Sequence, residues 1–515
     1  MAKKKVEEKI NLDSILFKCR DILRQARNSG SFFEKRDMML TLVFLRFIGE
    51  KFEDGVEKLR QDLIAQGLDP DDEEIFAAFF DDATFTDGTY NLPVEARWST
   101  IINTPAPGLN VALDTALHSI ATSSKQLKGC FVEGTFTTRN LAANDIKKIV
   151  DEVNKISHKA FGEEKDLIGR VYEYFLKEFA VNATKEEGEF YTPHDAVQLI
   201  AAMIEPFDGT LYDPCCGSGG MFVQSAKFIE RHQGKINDIS VFGQESNPTT
   251  WKMAQMNLAI RGIEANLGEF NADTFLKDVH PTLRADFVLA NPPFNLKEWG
   301  ADKLQDDVRW KYGIPPAGNA NFAWLQHMIH HLAPNGKIGM VLANGSLSSQ
   351  SGGEGDIRKN IINADLVDCI VAMPTQLFYT TQIPVSLWFL SKTKKQPGKT
   401  LFIDARKMGT MITRKLRELS EDDIKKIADT YNAFIDGTLE DVKGFCAVKA
   451  TEDIAAQDYI LTPGRYVGIE DKEEDDEPFD EKMTRLTSEL SQMFAKSHEL
   501  EDEIRRKLGA IGYEL

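Results

Sequence analysis

Residues Leu211 to Phe222 read LYDPCCGSGGMF. An apolar pair, then Asp213-Pro214 and a run of small residues, describes a strand that turns into a helix. Gly217, Gly219 and Gly220, with Ser218 among them, let backbone N–H groups come close to a ligand at the strand's C-terminal end. Asp213 sets the charge of that ligand. A carboxylate there does not welcome a pyrophosphate, but it accepts hydrogen bonds from an ammonium, directly or through water. The loop therefore favours a cofactor with a cationic amino-acid group over a dinucleotide, whose loop would read G-x-G-x-x-G. The structural alternative is a tight βα turn with small residues for packing.

Three further stretches extend this chemistry. VFGQESN ends a second strand in Glu245, about 25 residues beyond the glycines, where an acid can take both ribose hydroxyls of an adenosine. Alone, Glu245 would be an exposed or capping acid; the spacing favours the ribose. FNADTF places Asp273 after a strand-like stretch, as an acceptor for an adenine amino group or as a turn residue. VLANPPFN ends a strand, the fourth from the Gly loop, in Asn291-Pro292-Pro293-Phe294. One proline would suffice to stop a strand. The Asn291 side-chain oxygen and the Pro292 carbonyl, fixed by two rigid φ angles, make two acceptors in a defined geometry. Two acceptors suit an –NH₂ on an aromatic or amide plane, such as adenine, and Phe294 could stack on the ring.

GEFYTPHDAVQLI precedes the Gly loop. Thr192 or Asp195 could cap a helix running to Ile204, with Pro193 in its first turn and Phe190 and Tyr191 walling a cofactor pocket.

These segments need a scaffold. Residues 11–66 carry helical periodicity: Leu12, Ile15, Leu16, Cys19, Ile22, Leu23 and Ala26, then Leu42, Leu45, Ile48, Phe52, Val56, Leu59 and Leu63. Asn11 or Asp13 would cap the first stripe and Gly30 would stop it. Residues 70–140 show no clear pattern, and helices resume over 144–181. From about 186 to 408, apolar runs (GTLYD, ISVFGQE, ADFVLA, KIGMVLA, LVDCIVAM, VSLWFLS, TLFIDA) alternate with helical stretches. That alternation predicts an α/β, doubly wound parallel sheet with helices on both faces. The expected organisation is a helical N-terminal domain over 1–155, a catalytic domain over 156–408 and its extension over 409–469. An acidic linker over 470–481 and a C-terminal helix over 482–515 complete it. The linker, EDKEEDDEPFDE, holds nine acidic residues and one Lys. Met483, Leu486, Leu490, Met493, Leu500, Ile504 and Ile511 fit an a/d heptad broken by Ser497 and Lys507, which suits either packing on the same chain or a partner.

Composition narrows the class. The 515 residues suffice for several domains, and 42% hydrophobic with 27% charged is globular. No apolar run reaches a membrane span, and MAKKKVEEKINLD lacks the apolar core of a secretory signal, so the cytoplasm is expected. The six cysteines lack zinc or disulfide-framework spacing, and the nine histidines form no HExxH, so no metal is expected. His330 and His331 are read as marking a surface or interface. A net charge of −19 opposes unaided binding to DNA and calls for a local basic face or a basic partner.

D-P-x-x-G-S-G-G, an acidic strand end and N-P-P-F together resemble S-adenosylmethionine-dependent adenine-specific DNA methyltransferases. GEFYTPH ahead of the Gly loop and NPPF behind it are similar to the gamma arrangement of that family. TLVFLRFIGEKFED (41–54), RWKYGIPPAGNANFAWLQHM (309–328) and DYILTPGRYV (458–467) bring the likeness closer to the methylation subunit of type I restriction–modification systems, over about residues 12–515. The resemblance implies a Rossmann-like methyltransferase sheet between a helical N-terminal domain and a helical tail. It implies that S-adenosyl-L-methionine lies among Glu189, Phe190, Tyr191, Thr192, Pro193, His194, Asp213, Gly217, Ser218, Gly219, Gly220, Glu245 and Asp273. It also implies that an adenine flipped from double-stranded DNA meets Asn291, Pro292, Pro293 and Phe294. The implied partners are a specificity subunit flanked by two methylation subunits, and a restriction–translocation subunit. N-P-P-aromatic also serves enzymes that methylate protein glutamine or RNA amines, but GNANFAWLQHM and the large helical flanks argue against them. Intact NPPF and Gly-loop residues argue against a non-catalytic assembly subunit.

Overall fold

The computed structural model describes residues 11–26, 31–82, 91–124, 127–139, 141–157, 171, 174, 193–232, 234, 238–378, 383–413, 416–469 and 479–510. The chain divides into two compact units, Met1–Gly468 and Ile469–Leu515.

The first unit opens with helices. Asn11 caps α1 (Leu12–Gln25), which buries Leu12, Ile15, Leu16, Cys19 and Leu23 and ends ahead of Gly30. Ser31 and Glu34 form a reciprocal capping box that starts α2 (Phe32–Ala65). The stretch without a clear sequence pattern contains α3 (Glu73–Asp82), α4 (Trp98–Asn103) and α5 (Leu109–Ser123), and α6 (Ala143–Val153) follows. Most of the helical stretch expected after α6 lies outside the described residues.

Next come α7 (His194–Ile204), β1 (Gly209–Asp213), α8 (Gly220–Arg231), β2 (Ile239–Gly243), α9 (Pro248–Ile260), β3 (Ala265–Asn266) and β4 (Ala285–Ala290). They are followed by α10 (Asn321–His331), β5 (Leu332–Ala343), α11 (Glu354–Asn363), β6 (Val367–Ala372), β7 (Val385–Ser391) and β8 (Lys399–Asp404). A small antiparallel pair, β9 (Thr410–Met411) and β10 (Arg417–Glu418), precedes α12 (Glu421–Ile435), β11 (Cys446–Ala450) and α13 (Thr451–Ala455).

One nine-stranded sheet runs β11-β8-β6-β7-β5-β4-β1-β2-β3. The strands from β3 to β5 are mutually parallel, as expected. The all-parallel expectation fails at β7, which runs antiparallel between β5 and β6, and at β11, antiparallel to β8. β6 and β7 are consecutive in the chain and adjacent in the sheet, and an antiparallel pair of this kind needs no helical crossover. Both β6 and β7 are buried at every residue, so their apolar runs carried no sign of direction.

The helical region and the sheet share a core. Met253, Met256, Ala259 and Ile260 of α9 belong to the same apolar cluster as Leu16, Phe44 and Leu117. At the other side, Arg358 of α11 is fully buried. It donates to the carbonyls of Tyr459 (2.7 Å), Ser349 (2.8 Å) and Ser346 (3.3 Å). Tyr466 stacks on Phe402 of β8 with centroids 4.0 Å apart, so the DYILTPGRYV segment is laid against the sheet. The second unit holds α14 (Phe479–Ala510), which begins before the expected 482; most of the acidic linker lies outside the described residues. Among the described residues, no helix is long and apolar enough to cross a membrane.

Arg358→Met leaves three carbonyls without their donor. It is expected to lower the unfolding free energy by about 3 kcal/mol, read from urea denaturation. Unchanged stability would show that segment 458–467 is not anchored there.

Candidate active site

The site forms where β1, β2 and β4 end. Asp213, the last residue of β1, is 1% exposed, and its Oδ1 accepts from the Cys215 N–H at 3.0 Å. Burial, reinforced by the nearby Glu245 carboxylate, pushes the Asp213 carboxyl up to about 7. Gly217 (φ +55°) and Gly219 (φ +83°) adopt left-handed backbone, and α8 starts immediately after them. A Cβ added to Gly217 or Gly220 would meet open space, whereas Gly219 faces Leu258 at 3.3 Å. The loop thus leaves room for a ligand beside two of its glycines and packs on α9 at the third.

Glu245 follows β2. Its Oε2 accepts from the Gly217 N–H at 3.1 Å and its Oε1 from the Asn247 N–H at 2.7 Å. Asn247 caps α9 and Pro248 opens it, so the acid stands on a fixed helix start. The Asp273 segment joins the same group. The Ala272 N–H donates to the Glu245 carbonyl at 2.9 Å, and Thr274 Oγ1 donates to the Pro214 carbonyl at 2.5 Å. Asp273 is exposed, and its Oδ1 accepts from the N–H groups of Phe275 and Leu276, both at 2.9 Å.

Asn291-Pro292-Pro293-Phe294 continues from β4, which pairs directly with β1 (Tyr212 opposite Val288). Pro292 is buried; Asn291, Pro293 and Phe294 are half-buried. Phe294 meets Phe378 edge-on at 5.9 Å. The next residue, Asn295, has φ +54° and exchanges two hydrogen bonds with Asn321. Its N–H donates to Asn321 Oδ1 at 3.0 Å, and Asn321 Nδ2 donates to Asn295 Oδ1 at 2.9 Å. The start of α10 therefore fixes the exit of the Asn-Pro-Pro-Phe turn.

The Gly loop, Glu245 and Asp273 are joined by hydrogen bonds, and Asn291 continues the strand beside Asp213. Glu189, Phe190, Tyr191 and Thr192 lie outside the described residues. Pro193 stands at the cap position of α7 rather than in its first turn, and His194 is the first helical residue. Asp195 does not cap α7 with a distant N–H. It accepts from Ala196 (2.9 Å) and, across the fold, from Leu419 (2.8 Å).

Two organising residues escaped sequence reasoning. Gln244, 1% exposed, donates to the carbonyls of Ala272 (3.1 Å) and Lys277 (2.7 Å) and accepts from the Val279 N–H (3.2 Å). Asn257 Nδ2 donates to the Ser218 carbonyl at 2.7 Å. Gln244 sat in plain view beside Glu245, but an amide before an acid has no distinctive spacing.

The surface reading of His331 is corrected. It is fully buried, with Nδ1 3.1 Å from the Leu283 carbonyl and Nε2 2.9 Å from Asp278 Oδ2. Asp278, His327 and His331 bring ligand atoms within 4.8 Å of one another. These atoms are already engaged by hydrogen bonds, and the Arg309 guanidinium, 3.1 Å from His327 Nδ1, opposes a further cation.

Strand order, Gly loop and Asn-Pro-Pro-Phe turn define the class, an amino-methylating enzyme on a doubly wound sheet. The N-6 DNA Methylase family model matches residues 163–475, and the HsdM N-terminal domain model matches residues 12–153. The HindI methylase subunit of a type I restriction enzyme from Haemophilus influenzae is 49% identical, over 82% of this chain and all of that one. The MjaIX methylase subunit from Methanocaldococcus jannaschii is 37% identical, over 97% of this chain and 91% of that one. A crystal structure of the type I restriction-modification methyltransferase subunit from Streptococcus thermophilus shares the fold with a TM-score of 0.72. It is 24% identical, over 88% of this chain and 98% of that one. The chain belongs to the N-6 DNA methylase family, in the branch of type I methylase subunits.

Asp213 gives the site a pH signature. The folded chain keeps this proton up to about 7, while the unfolded chain releases it at the ordinary carboxylate value. Between those values the folded state binds more protons, so the Asp213 contribution to stability falls as pH rises. Asp213→Asn is expected to raise the melting temperature of the ligand-free chain, by a margin that grows from about pH 4 to about pH 7 and then levels. Calorimetry across that range checks this, and a pH-independent difference contradicts it.

Proposed function

We propose that this chain transfers a methyl group from S-adenosyl-L-methionine to the N6 amino group of adenine in double-stranded DNA, as the modification subunit of a type I restriction–modification complex. The observation that carries this is the juxtaposition of two strand ends. Asp213, with the Gly loop, ends β1, and Asn291-Pro292 ends β4 beside it.

The residues fit the cofactor. Asp213 offers a buried carboxylate to its cationic amino-acid end, and the open space at Gly217 and Gly220 admits its chain. Glu245 takes the ribose hydroxyls and Asp273 the adenine amino group. When bound, S-adenosylmethionine supplies an electrophilic methyl group on a sulfonium.

The chain's own task lies with the acceptor amine. The exocyclic nitrogen of adenine is a poor nucleophile because its lone pair is conjugated into the ring. Asn291 Oδ1 and the Pro292 carbonyl accept its two hydrogens, which favours a tetrahedral nitrogen and localises the lone pair. Pro292 and Pro293 restrict the backbone, and Phe294 packs against the base after it leaves the duplex. Held this way, the amine needs little further reorganisation to react.

The acidic charge fits division of labour. A separate specificity subunit flanked by two of these chains reads the sequence, and a restriction–translocation subunit completes the cytoplasmic complex that spares modified host DNA. We assign the partner contacts to the N-terminal helical domain and to α14. On α14, Met483, Leu486, Leu490, Met493, Leu500 and Ile504 are all at least 42% exposed along one heptad stripe.

Asn291→Ala is expected to keep folding and S-adenosylmethionine affinity while methyl transfer to target DNA, assayed in the assembled complex, falls at least about a hundredfold. Wild-type transfer by this variant would refute the role. Leu490→Asp with Met493→Asp should abolish co-purification with the specificity subunit and spare cofactor binding. Persistent assembly would remove α14 from the interface.

A further inference from the structure

The stretch that begins RWKYG has no part in the chemistry above, yet its first residue is among the most heavily bonded side chains in the fold. Arg309 is 7% exposed. Nε donates to Asp307 Oδ1 at 2.8 Å, and Nη2 to Asp307 Oδ2 at 2.7 Å. Nη1 donates to the Thr274 carbonyl at 3.0 Å, and Nη2 to the Phe275 carbonyl at 2.6 Å. Nη1 also lies 3.1 Å from His327 Nδ1. A guanidinium has five N–H donors in a rigid plane, and here each has its own acceptor.

Because Arg309 only donates, His327 Nδ1 must accept. The imidazole is then neutral and carries its proton on Nε2, which donates to the Tyr212 hydroxyl at 3.0 Å. Burial, together with the neighbouring His331 and Arg309, pushes the His327 pKa well below its ordinary value and keeps the ring neutral. Tyr212 is the residue before Asp213. The same α10 that contributes His327 contributes Asn321 to the Asn-Pro-Pro-Phe side. Arg309 therefore joins three parts: the Asp273 segment, β1 at the cofactor loop, and the helix that fixes the substrate turn.

We infer that Arg309 is a positioning residue for cofactor binding, acting through Asp273. Two successive carbonyls, those of Thr274 and Phe275, are fixed by one plane. They belong to the turn whose N–H groups, from Phe275 and Leu276, hold the Asp273 carboxylate. Thr274 adds its hydroxyl to Pro214 of the cofactor loop. Lysine can place a charge here but cannot serve five diverging acceptors. The inference rests on the proposed role of Asp273 toward the cofactor's adenine.

The test is a double-mutant cycle on the full chain, with S-adenosylmethionine binding measured calorimetrically for wild type, Arg309→Lys, Asp273→Ala and the double variant. Each single variant is expected to weaken binding about tenfold or more. In the Asp273→Ala background, Arg309→Lys should cost less than about threefold further, because the group it positions is gone. A merely structural role predicts that the penalties multiply, and that result overturns the inference. Wild-type affinity in either single variant does the same. If Arg309→Lys does not fold, Asp307→Asn takes its place in the same cycle under the same criteria. No binding by the wild-type chain would instead refute the cofactor assignment itself.

Discussion

Strands β1 and β4 lie side by side, and the chain leaves them in opposite directions. From β1 it passes through α8 to β2 and β3 on one side; from β4 it continues to β5 on the other. The loops that follow the two strands therefore diverge, the arrangement in which open α/β sheets bind ligands at the C-terminal ends of their strands. Everything assigned to chemistry depends on this divergence. It puts a buried carboxylate and a glycine loop on one strand end and an Asn-Pro-Pro-Phe turn on the next, with no intervening strand.

Much of this was legible because local chemistry has local signatures. Gly217 and Gly219 need left-handed backbone, and glycine is the residue that supplies it without strain. Glu245 stands at a spacing set by one helix and one strand, and its carboxylate accepts from the Gly217 N–H. The apolar stripe of α1 was legible because helical periodicity exposes it. What was not legible depends on contacts between residues remote in sequence. The direction of β7 follows from how its neighbours connect, since a strand buried on both faces looks the same in either direction. His331 looked like a surface residue because its partners, Asp278 and Leu283, lie about 50 positions away. Gln244 donates to two backbone carbonyls and so does Arg309, and a carbonyl leaves no mark on the sequence.

The same helix can serve two masters here. Leu258 of α9 packs on Gly219, and Asn257 of α9 holds the Ser218 carbonyl. Met253, Met256, Ala259 and Ile260 of the same helix are buried in the core of the N-terminal helices. The helical region is thus continuous in packing with the Gly loop, and well-packed interiors transmit small shifts. That continuity gives a physical route by which a shift of the N-terminal helices reaches the Gly loop. The exposed heptad stripe of α14 offers a second surface suited to a helical partner.

The central claim is that the ends of β1, β2 and β4 form one site for the cofactor and the amine. A crystal structure of the chain with S-adenosylhomocysteine bound tests it most directly. The account predicts the amino-acid end at Asp213 and the Gly loop, the ribose on Glu245, the adenine amino group at Asp273, and the thioether sulfur facing Asn291. A ligand bound elsewhere, or with its ribose away from Glu245 and its sulfur away from Asn291, would contradict it.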